Sequence, residues 1–260
     1  MSATAASRNA PYYPGEPPTV CAADRVFLFT DLHLDAQRPE ECARFVEELR
    51  SLLPRAHAAA VVVMGDLFDA YSGAEDWELP AFVAVRETLQ ALSSAGARVI
   101  LLRGNRDVML EASPSPSSQA IEVQDSVLCQ LPGREPVLLT HGDAFCLADR
   151  RYQFLRRTLR RPGLRRFLMN RGVGVRRWLA GRLRGVSRGE VARKPLANLD
   201  VNSEAVVHEL KAHQATQAVI GHLHQRRTVA LAGGRLLRIL PAWDPEAPAW
   251  ELVSILDGAF

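Results

Sequence analysis

The sequence predicts an α/β fold built on parallel strands, and three observations lead to it. Five short apolar runs, Val26–Phe29, Val61–Met64, Val99–Leu102, Val137–Thr140 and Ala218–Ile220, have the length and composition of buried strands. Between the first three lie stretches whose apolar residues recur at steps of three and four, the period of an amphipathic helix. Strand and helix in alternation imply right-handed crossovers and hence parallel pairing. The third observation is what each run ends in: Asp31 and His33, Asp66, Asn105, His141, then His222 and His224. Ligands of open α/β sheets bind beyond the carboxyl ends of the strands, so these seven side chains are expected along one edge of the core.

Residues 1–24 carry Pro11, Pro14, Pro17 and Pro18 but no continuous apolar stretch, so they read as a flexible leader and not as a secretory signal. The first strand delivers Asp31 and His33, which point the same way if the backbone stays extended. Pro39 to Leu53 reads as a helix with Cys42, Phe45, Val46, Leu49, Leu52 and Leu53 on one face, stopped by Pro54. A second helix runs from Leu79 to Ala95, with Phe82, Val85, Leu89 and Leu92 inward and Gly96 at the position of a C-cap glycine. Ser113 to Ser118, with two prolines, is a loop. Asp200 to His213 has a helical pattern, and Leu236–Leu240 and Trp250–Leu256 offer two more strands. His57, His208 and His213 fall outside every motif and read as surface or packing residues.

At 260 residues the chain can bury a substantial core, and 47% apolar with 23% charged residues is a globular composition. No run of 18 or more apolar residues occurs, so no membrane-crossing helix is expected. Cys21, Cys42, Cys129 and Cys146 are scattered, without C-x-x-C spacing, and read as reduced thiols in the cytosol. The net charge of +3 conceals an asymmetry: residues 150–194 hold fifteen arginines and one lysine against the single acid Glu190. Such a segment calls for an anionic partner, whether phosphate, nucleic acid or a lipid surface. Its Leu164, Phe167 and Leu168, and then Val175, Trp178, Leu179 and Leu183, share helical faces beside the arginines, the pattern of an interfacial helix.

Seven nitrogen and oxygen donors without a thiolate suit Mn, Fe or Zn. They are too many for one ion with an open position and suit two ions sharing a carboxylate, for which Asp66 is the natural candidate. Two ions about 3.5–4 Å apart can clamp a phosphoryl group for in-line displacement. Taken singly, Asp66 could be a helix cap, Asn105 a turn residue and the histidines core fillers. At five successive strand ends a common chemistry is the simpler account.

The order Asp-x-His, Gly-Asp, Gly-Asn, His-Gly-Asp, Gly-His-x-His resembles the calcineurin-like metallophosphoesterases over most of residues 25–230. The resemblance implies a two-layer β-sandwich flanked by helices, αββα. It also implies two divalent ions, taken as Mn(II): Asp31, His33, Asp66 and His224 around one, Asp66, Asn105, His141 and His222 around the other. Many members of that superfamily follow the asparagine with a histidine placed to protonate a leaving alkoxide; here the residue is Arg106. Arginine gives up no proton at neutral pH but forks onto phosphate oxygens. A leaving phosphate monoester, with a second pKa near ~6, scarcely needs a proton. The expectation is therefore cleavage of a phosphoanhydride, with Asp66, Asn105, Arg106 and His141 as the catalytic set.

Gly104-Asn105-Arg106-Asp107, His141 through Asp149, and Tyr152-Gln153 resemble one branch, the UDP-2,3-diacylglucosamine hydrolases of Gram-negative lipid A biosynthesis. That branch carries a helical cap after the His-Gly-Asp motif, with acyl chains between cap and core. The resemblance thus implies a core of residues 25–149 and 195–260 and a basic cap of residues 150–194. It implies substrate contacts from Asn105, Arg106, Asp149, Tyr152, Arg184, Ser187, Lys194 and His222. The partners it implies are an acylated UDP-sugar and the anionic inner-membrane surface, met by a monomer on the cytoplasmic face; nucleic acid is not expected. The products would be UMP and 2,3-diacylglucosamine 1-phosphate. Leu223 and Gln225 stand where the family has threonine and arginine, Pro241-Ala242 where it has Gly-Asp, and Val191 where it has asparagine. Two other readings stay open: a phosphoesterase of soluble nucleoside diphosphate derivatives or dinucleotides, and a nucleic-acid-binding protein using the arginine stripe. The interleaved Leu, Phe and Trp need burial, which favours a cap.

Overall fold

Side chains along β2 (Arg25–Phe29) alternate between two interiors. Phe27 and Phe29 pack with α1 (Pro39–Ser51) and α2 (Pro80–Ser94), while Val26 and Leu28 face a second sheet. β3 (Ala59–Val63) and β4 (Arg98–Leu102) divide in the same way, with Val61, Val63, Val99 and Leu101 against the helices and Ala60, Val62, Ile100 and Leu102 between the sheets. Strands buried on both faces have no polar side to show, which is why they read as unbroken apolar runs.

The computed structural model describes residues 12, 15–111, 121–178, 180–181, 201–247 and 249–258. β2, β3 and β4 pair in parallel, flanked by β5 (Ile121–Gln124) and the short antiparallel β11 (Trp250–Glu251), in a five-stranded sheet of order β11-β2-β3-β4-β5. The second sheet has six strands in the order β1-β6-β7-β8-β10-β9. These are β1 (Thr19–Ala22), β6 (Ser126–Gln130), β7 (Val137–Thr140), β8 (Gln217–Ile220), β9 (Arg227–Leu231) and β10 (Arg235–Ile239). The helix Ser203–Ala212 covers its outer face, Val206 and Leu210 packing on Leu138, Ala218 and Leu237. Helix, sheet, sheet and helix make the αββα sandwich that the resemblance implied.

Several elements differ from the sequence expectation. Residues 19–22, within the expected leader, form β1, which pairs in parallel with β6 and places Cys21 opposite Cys129. Only Cys21 of this strand is buried, so the four residues carry almost no periodic signal. Trp250–Leu256 is not one strand: β11 ends at Glu251 and a short helix, Leu252–Leu256, follows. Its buried Leu252 and Ile255 are three apart, a helical spacing in so short an apolar run. The helix expected from Asp200 begins at Ser203, capped by the Asn202 side chain, which accepts from the Ala205 N–H at 2.8 Å.

The basic segment opens with α3 (Arg150–Leu159) and α4 (Pro162–Met169), followed by a helical stretch over 173–178. Leu159 is buried in the helix-side core, and Leu155, Leu168 and Met169 pack against it. Phe167, expected on the same face as Leu168, is instead exposed, as are Phe154, Val175 and Trp178. Many of the arginines find carboxylates of the core. Arg156 meets Asp143 at 3.0 Å, Arg160 meets Asp125 at 2.9 Å, Arg165 meets Glu111 at 3.7 Å, Arg176 meets Glu75 at 2.5 Å and Arg177 meets Asp76 at 3.6 Å. The acidic balance of the rest of the chain is thus in part the partner that the basic segment calls for. Among the described residues no helix is long and apolar enough to cross a membrane.

Candidate metal centre

The polar residues that end the strands come from both sheets. Asp31, His33, Asp66 and Asn105 follow β2, β3 and β4, whereas His141, His222 and His224 follow β7 and β8. The expectation that Asp31 and His33 converge by strand alternation is corrected here. β2 ends at Phe29, and both residues adopt left-handed backbone conformations, with φ of 54° and 51°. Asp66, His222 and His224 do the same, at 53°, 67° and 52°. Each such non-glycine residue costs on the order of 1–3 kcal/mol, and such strain gathers at functional sites.

Backbone bonds between the two strand ends hold these conformations: Asp31 N–H donates to Gly65 O at 3.2 Å and His33 N–H to Asp66 O at 2.9 Å. Gly221 N–H donates to His141 O at 3.1 Å, tying the ends of β7 and β8. Two neighbouring glycines leave no room for a side chain. A Cβ on Gly104 would lie 2.0 Å from Asp66 Oδ1, and one on Gly221 would lie 1.9 Å from Thr30 Oγ1.

Two groups of side chains result. Asp31, His33 and His224 offer ligand atoms within 4.8 Å of one another, and so do Asp31, Asp66 and His141. His224 Nε2 lies 3.1 Å from Asp31 Oδ1 and 3.3 Å from His33 Nε2. Asp66 lies between the halves, its Oδ2 3.8 Å from His33 Nδ1 and its Oδ1 3.7 Å from His141 Nε2. Asn105 Oδ1 is 3.0 Å from both His141 Nε2 and His222 Nδ1, and those two nitrogens are 3.2 Å apart. The structure therefore brings together all seven residues singled out from the sequence.

The donor chemistry suits cations. His141 Nδ1 sits 3.0 Å from the Met64 carbonyl, which can only accept, so when the ring is neutral its proton is on Nδ1 and the Nε2 lone pair faces the cluster. That lone pair meets the Asn105 carbonyl oxygen, so two acceptors face each other where a positive charge would satisfy both. His33 Nδ1 is buried without a hydrogen-bond partner. Burial pushes the Asp66 carboxyl up to about 6 and His33 and His222 down to about 4. Burial also opposes charge on Asp31, yet hydrogen bonding to His224 and the nearby His141 hold it well below the usual carboxylate range. These residues fit a divalent metal site.

Around the cluster lie further residues, of which Asp107 and Thr30 were given no role by the sequence. Asp107 is fully buried and accepts from the backbone N–H groups of Gly104 at 2.7 Å, Leu67 at 2.8 Å and Asp66 at 3.3 Å. It thereby locks the turn bearing Asn105 to the turn bearing Asp66. Thr30 Oγ1 donates to Asp31 Oδ2 at 2.6 Å, and the His222 N–H to the same oxygen at 2.9 Å. Arg106 donates its backbone N–H to Asp66 Oδ1 at 2.8 Å, and its Nη1 stands 3.6 Å from Asp69. Asp149 caps α3, accepting from Tyr152 N–H at 3.0 Å, and the Tyr152 hydroxyl donates to Asp143. Arg184, Ser187 and Lys194 lie outside the described residues.

The profile of calcineurin-like phosphoesterases matches residues 24–226, a span that contains every member of this cluster. The chain belongs to that family. Like other calcineurin-like phosphoesterases it is a metal-dependent hydrolase. It is 35% identical over 231 residues to a UDP-2,3-diacylglucosamine hydrolase of Pseudomonas fluorescens, covering 87% of this chain and 90% of that one. It is 33% identical over 228 residues to the protein of that name from Stutzerimonas stutzeri, covering 87% and 93%. Among solved structures, a dimetal phosphatase from Danio rerio is 14% identical with a TM-score of 0.44, covering 86% of this chain and 90% of that one, a distant likeness.

Proposed function

We propose that this phosphoesterase hydrolyses the pyrophosphate bond of UDP-2,3-diacylglucosamine, giving UMP and 2,3-diacylglucosamine 1-phosphate, the lipid A intermediate. The relatives of that name support the substrate, and one observation carries the reaction type: the residue beside the cluster is Arg106, anchored through its backbone on Asp66 and lining the cleft next to His33. A guanidinium there binds phosphate oxygens and supplies no proton, which matches a leaving group that is itself a phosphate.

Asp31, His33, Asp66 and His224 would hold one divalent ion, and Asp66, Asn105, His141 and His222 the second, with Mn(II) as the metal. Such ions supply Lewis acidity toward the phosphoryl oxygens and a nucleophile at neutral pH. The chain's own part is positional. Asp66 turns one carboxylate oxygen to each half of the cluster, and Met64 O holds the His141 tautomer. Arg106 neutralises charge growing on the bridging oxygen as the anhydride bond breaks.

Residues 150–194 would act as a cap over residues 25–149 and 195–260, with Asp149, Tyr152, Arg184, Ser187 and Lys194 toward the acyl-sugar. Exposed Phe154, Phe167, Val175 and Trp178 on that cap support contact with acyl chains and with the cytoplasmic face of the inner membrane, where a monomer would work. Arg156, Arg160 and Arg176 are engaged by carboxylates, which argues against a phosphate-tracking stripe for nucleic acid.

The test is hydrolysis of UDP-2,3-diacylglucosamine against its deacylated analogue, with Mn²⁺ restored after chelation. Metal-dependent release of UMP from the diacylated compound, with much slower release from the analogue, is expected. Equal rates on both would point to soluble nucleotide derivatives instead.

A further inference from the structure

Beside His33 and His224 the cluster opens into a cleft of about 410 Å³, walled by Arg38, Glu41, Arg106 and Trp243. That volume lies within the ~300–1,000 Å³ typical of small-molecule sites. Its lining is too charged for acyl chains. Its walls come from the turn after β2, the start of α1 and the loop before β11. Ion pairs and hydrogen bonds from Arg156, Arg160, Arg165, Arg176 and Arg177 reach Asp143, Asp125, Arg103 O, Glu111, Ser72 O, Glu75 and Asp76, none of which lines this cleft. A substrate whose pyrophosphate lies at the cluster and whose acyl chains lie under the cap must send its other end away from the cap.

Trp243 is held rigidly enough to serve as a recognition surface. Its backbone N–H donates to Thr30 O at 2.9 Å, its indole Nε1 donates to Glu48 Oε2 at 2.7 Å, and its ring meets Phe45 edge-on with centroids 5.7 Å apart. It nevertheless lines the cleft and is only partly buried. Arg38 is half-exposed, its Nη1 on Glu41 at 2.6 Å and its Nη2 on His33 O at 3.3 Å, which leaves further N–H donors. An aromatic face beside a guanidinium recognises a pyrimidine by stacking and by bonds to its carbonyl oxygens.

Resting on the reaction proposed above, we infer that this cleft is the seat of the uridine half of the substrate, with Trp243 as the stacking surface and Arg38 as the polar contact. The base then lies on the His33 and His224 side of the cluster and the acyl-sugar on the cap side.

Calorimetric titration of the Mn²⁺-loaded protein with UMP and with ribose 5-phosphate tests this, because both carry the phosphate and only UMP carries the base. The wild-type protein should bind UMP at least tenfold more tightly than ribose 5-phosphate. Trp243→Leu should bring the ratio close to one with ribose 5-phosphate affinity unchanged, and Arg38→Gln, at a half-exposed position, should lower it about fivefold. Inhibition by 2,3-diacylglucosamine 1-phosphate should stay within twofold in both variants. Equal wild-type affinity for UMP and ribose 5-phosphate, or a ratio unmoved in both variants, would overturn the assignment. Should Trp243→Leu misfold, the wild-type ratio and Arg38→Gln still decide. Wild-type turnover of UDP-2,3-diacylglucosamine is scored separately. Its absence removes the proposed reaction, whereas turnover without base preference removes only the subsite.

Discussion

Asp66 stands in a left-handed backbone conformation, one carboxylate oxygen toward His33 and the other toward His141. If it is the shared ligand, Asp66→Ala should empty both metal positions and abolish turnover while the far-ultraviolet circular dichroism stays unchanged. Elemental analysis of the purified variant checks this, and two retained equivalents of metal would refute the shared role. Protonation makes a second prediction at this scale. Without metal, burial raises Asp66 to about 6. A hydrogen bond to Asp31 raises His224, and His141 is raised too, its burial being outweighed by the Asp66 and Asp31 carboxylates. Those protons must leave when a metal binds, whereas His33 and His222, depressed to about 4, are already neutral near pH 6. Apparent metal affinity should therefore fall as pH drops from 8 to 5, and by more than tenfold per unit between pH 6 and 5. A metal titration across that range checks it, and a flat profile would contradict it.

At the scale of elements, α3 is fastened to the core by charge. Asp143 is buried and accepts from Arg156 at 3.0 Å and from the Tyr152 hydroxyl, while Arg160 bridges Asp125 at 2.9 Å and Asp143 at 3.5 Å. Burial favours a neutral Asp143, but Arg156 and Arg160 hold its pKa well below the usual range. Arg160→Met removes one buried cation from Asp125 and Asp143, which keep Arg103 and Arg156, so it should destabilise the protein by about 1.5–3 kcal/mol. Arg165→Met breaks a more exposed pair with Glu111 and should cost under about 1 kcal/mol. Urea unfolding of both variants makes the comparison; equal losses would mean that Arg160 is not a buried anchor. The sequence shows these arginines only as a basic run. Which of them meet carboxylates depends on where the folded core places Asp125, Asp143, Glu111, Glu75 and Asp76, all on connections distant in sequence.

For the molecule as a whole, the site lies where the carboxyl ends of two sheets meet, and the basic segment presents Phe154, Phe167, Val175 and Trp178 outward. If that face meets lipid, the Phe167→Ser and Trp178→Ser double variant should co-sediment with anionic phospholipid vesicles at least fivefold less than the wild type, with bound metal unchanged. Salt should weaken wild-type sedimentation, since exposed arginines act at long range and are screened. Undiminished sedimentation of the variant would remove the basic segment from membrane contact.

The sequence by itself determined the strands buried on both faces and the seven polar residues at their ends, because apolar runs and the residues that stop them are local features. It also carried the helix period of α1 and α2, and Gly96 stands one residue beyond the C-cap Ala95 of α2, at φ 99°. Other features only the tertiary structure decided. The division of the strand ends between two sheets follows from which apolar face packs on which, and alternation within one strand cannot state its partner. The short edge strand β1 is placed by its pairing with β6, because four residues with one buried side chain carry no periodic signal of their own. The turns of Asp31, His33, Asp66, His222 and His224 into left-handed backbone run against local preference. Only bonds between separate strand ends, and the space left by Gly104 and Gly221, hold them there, and such long-range constraints are invisible to any local reading of the chain.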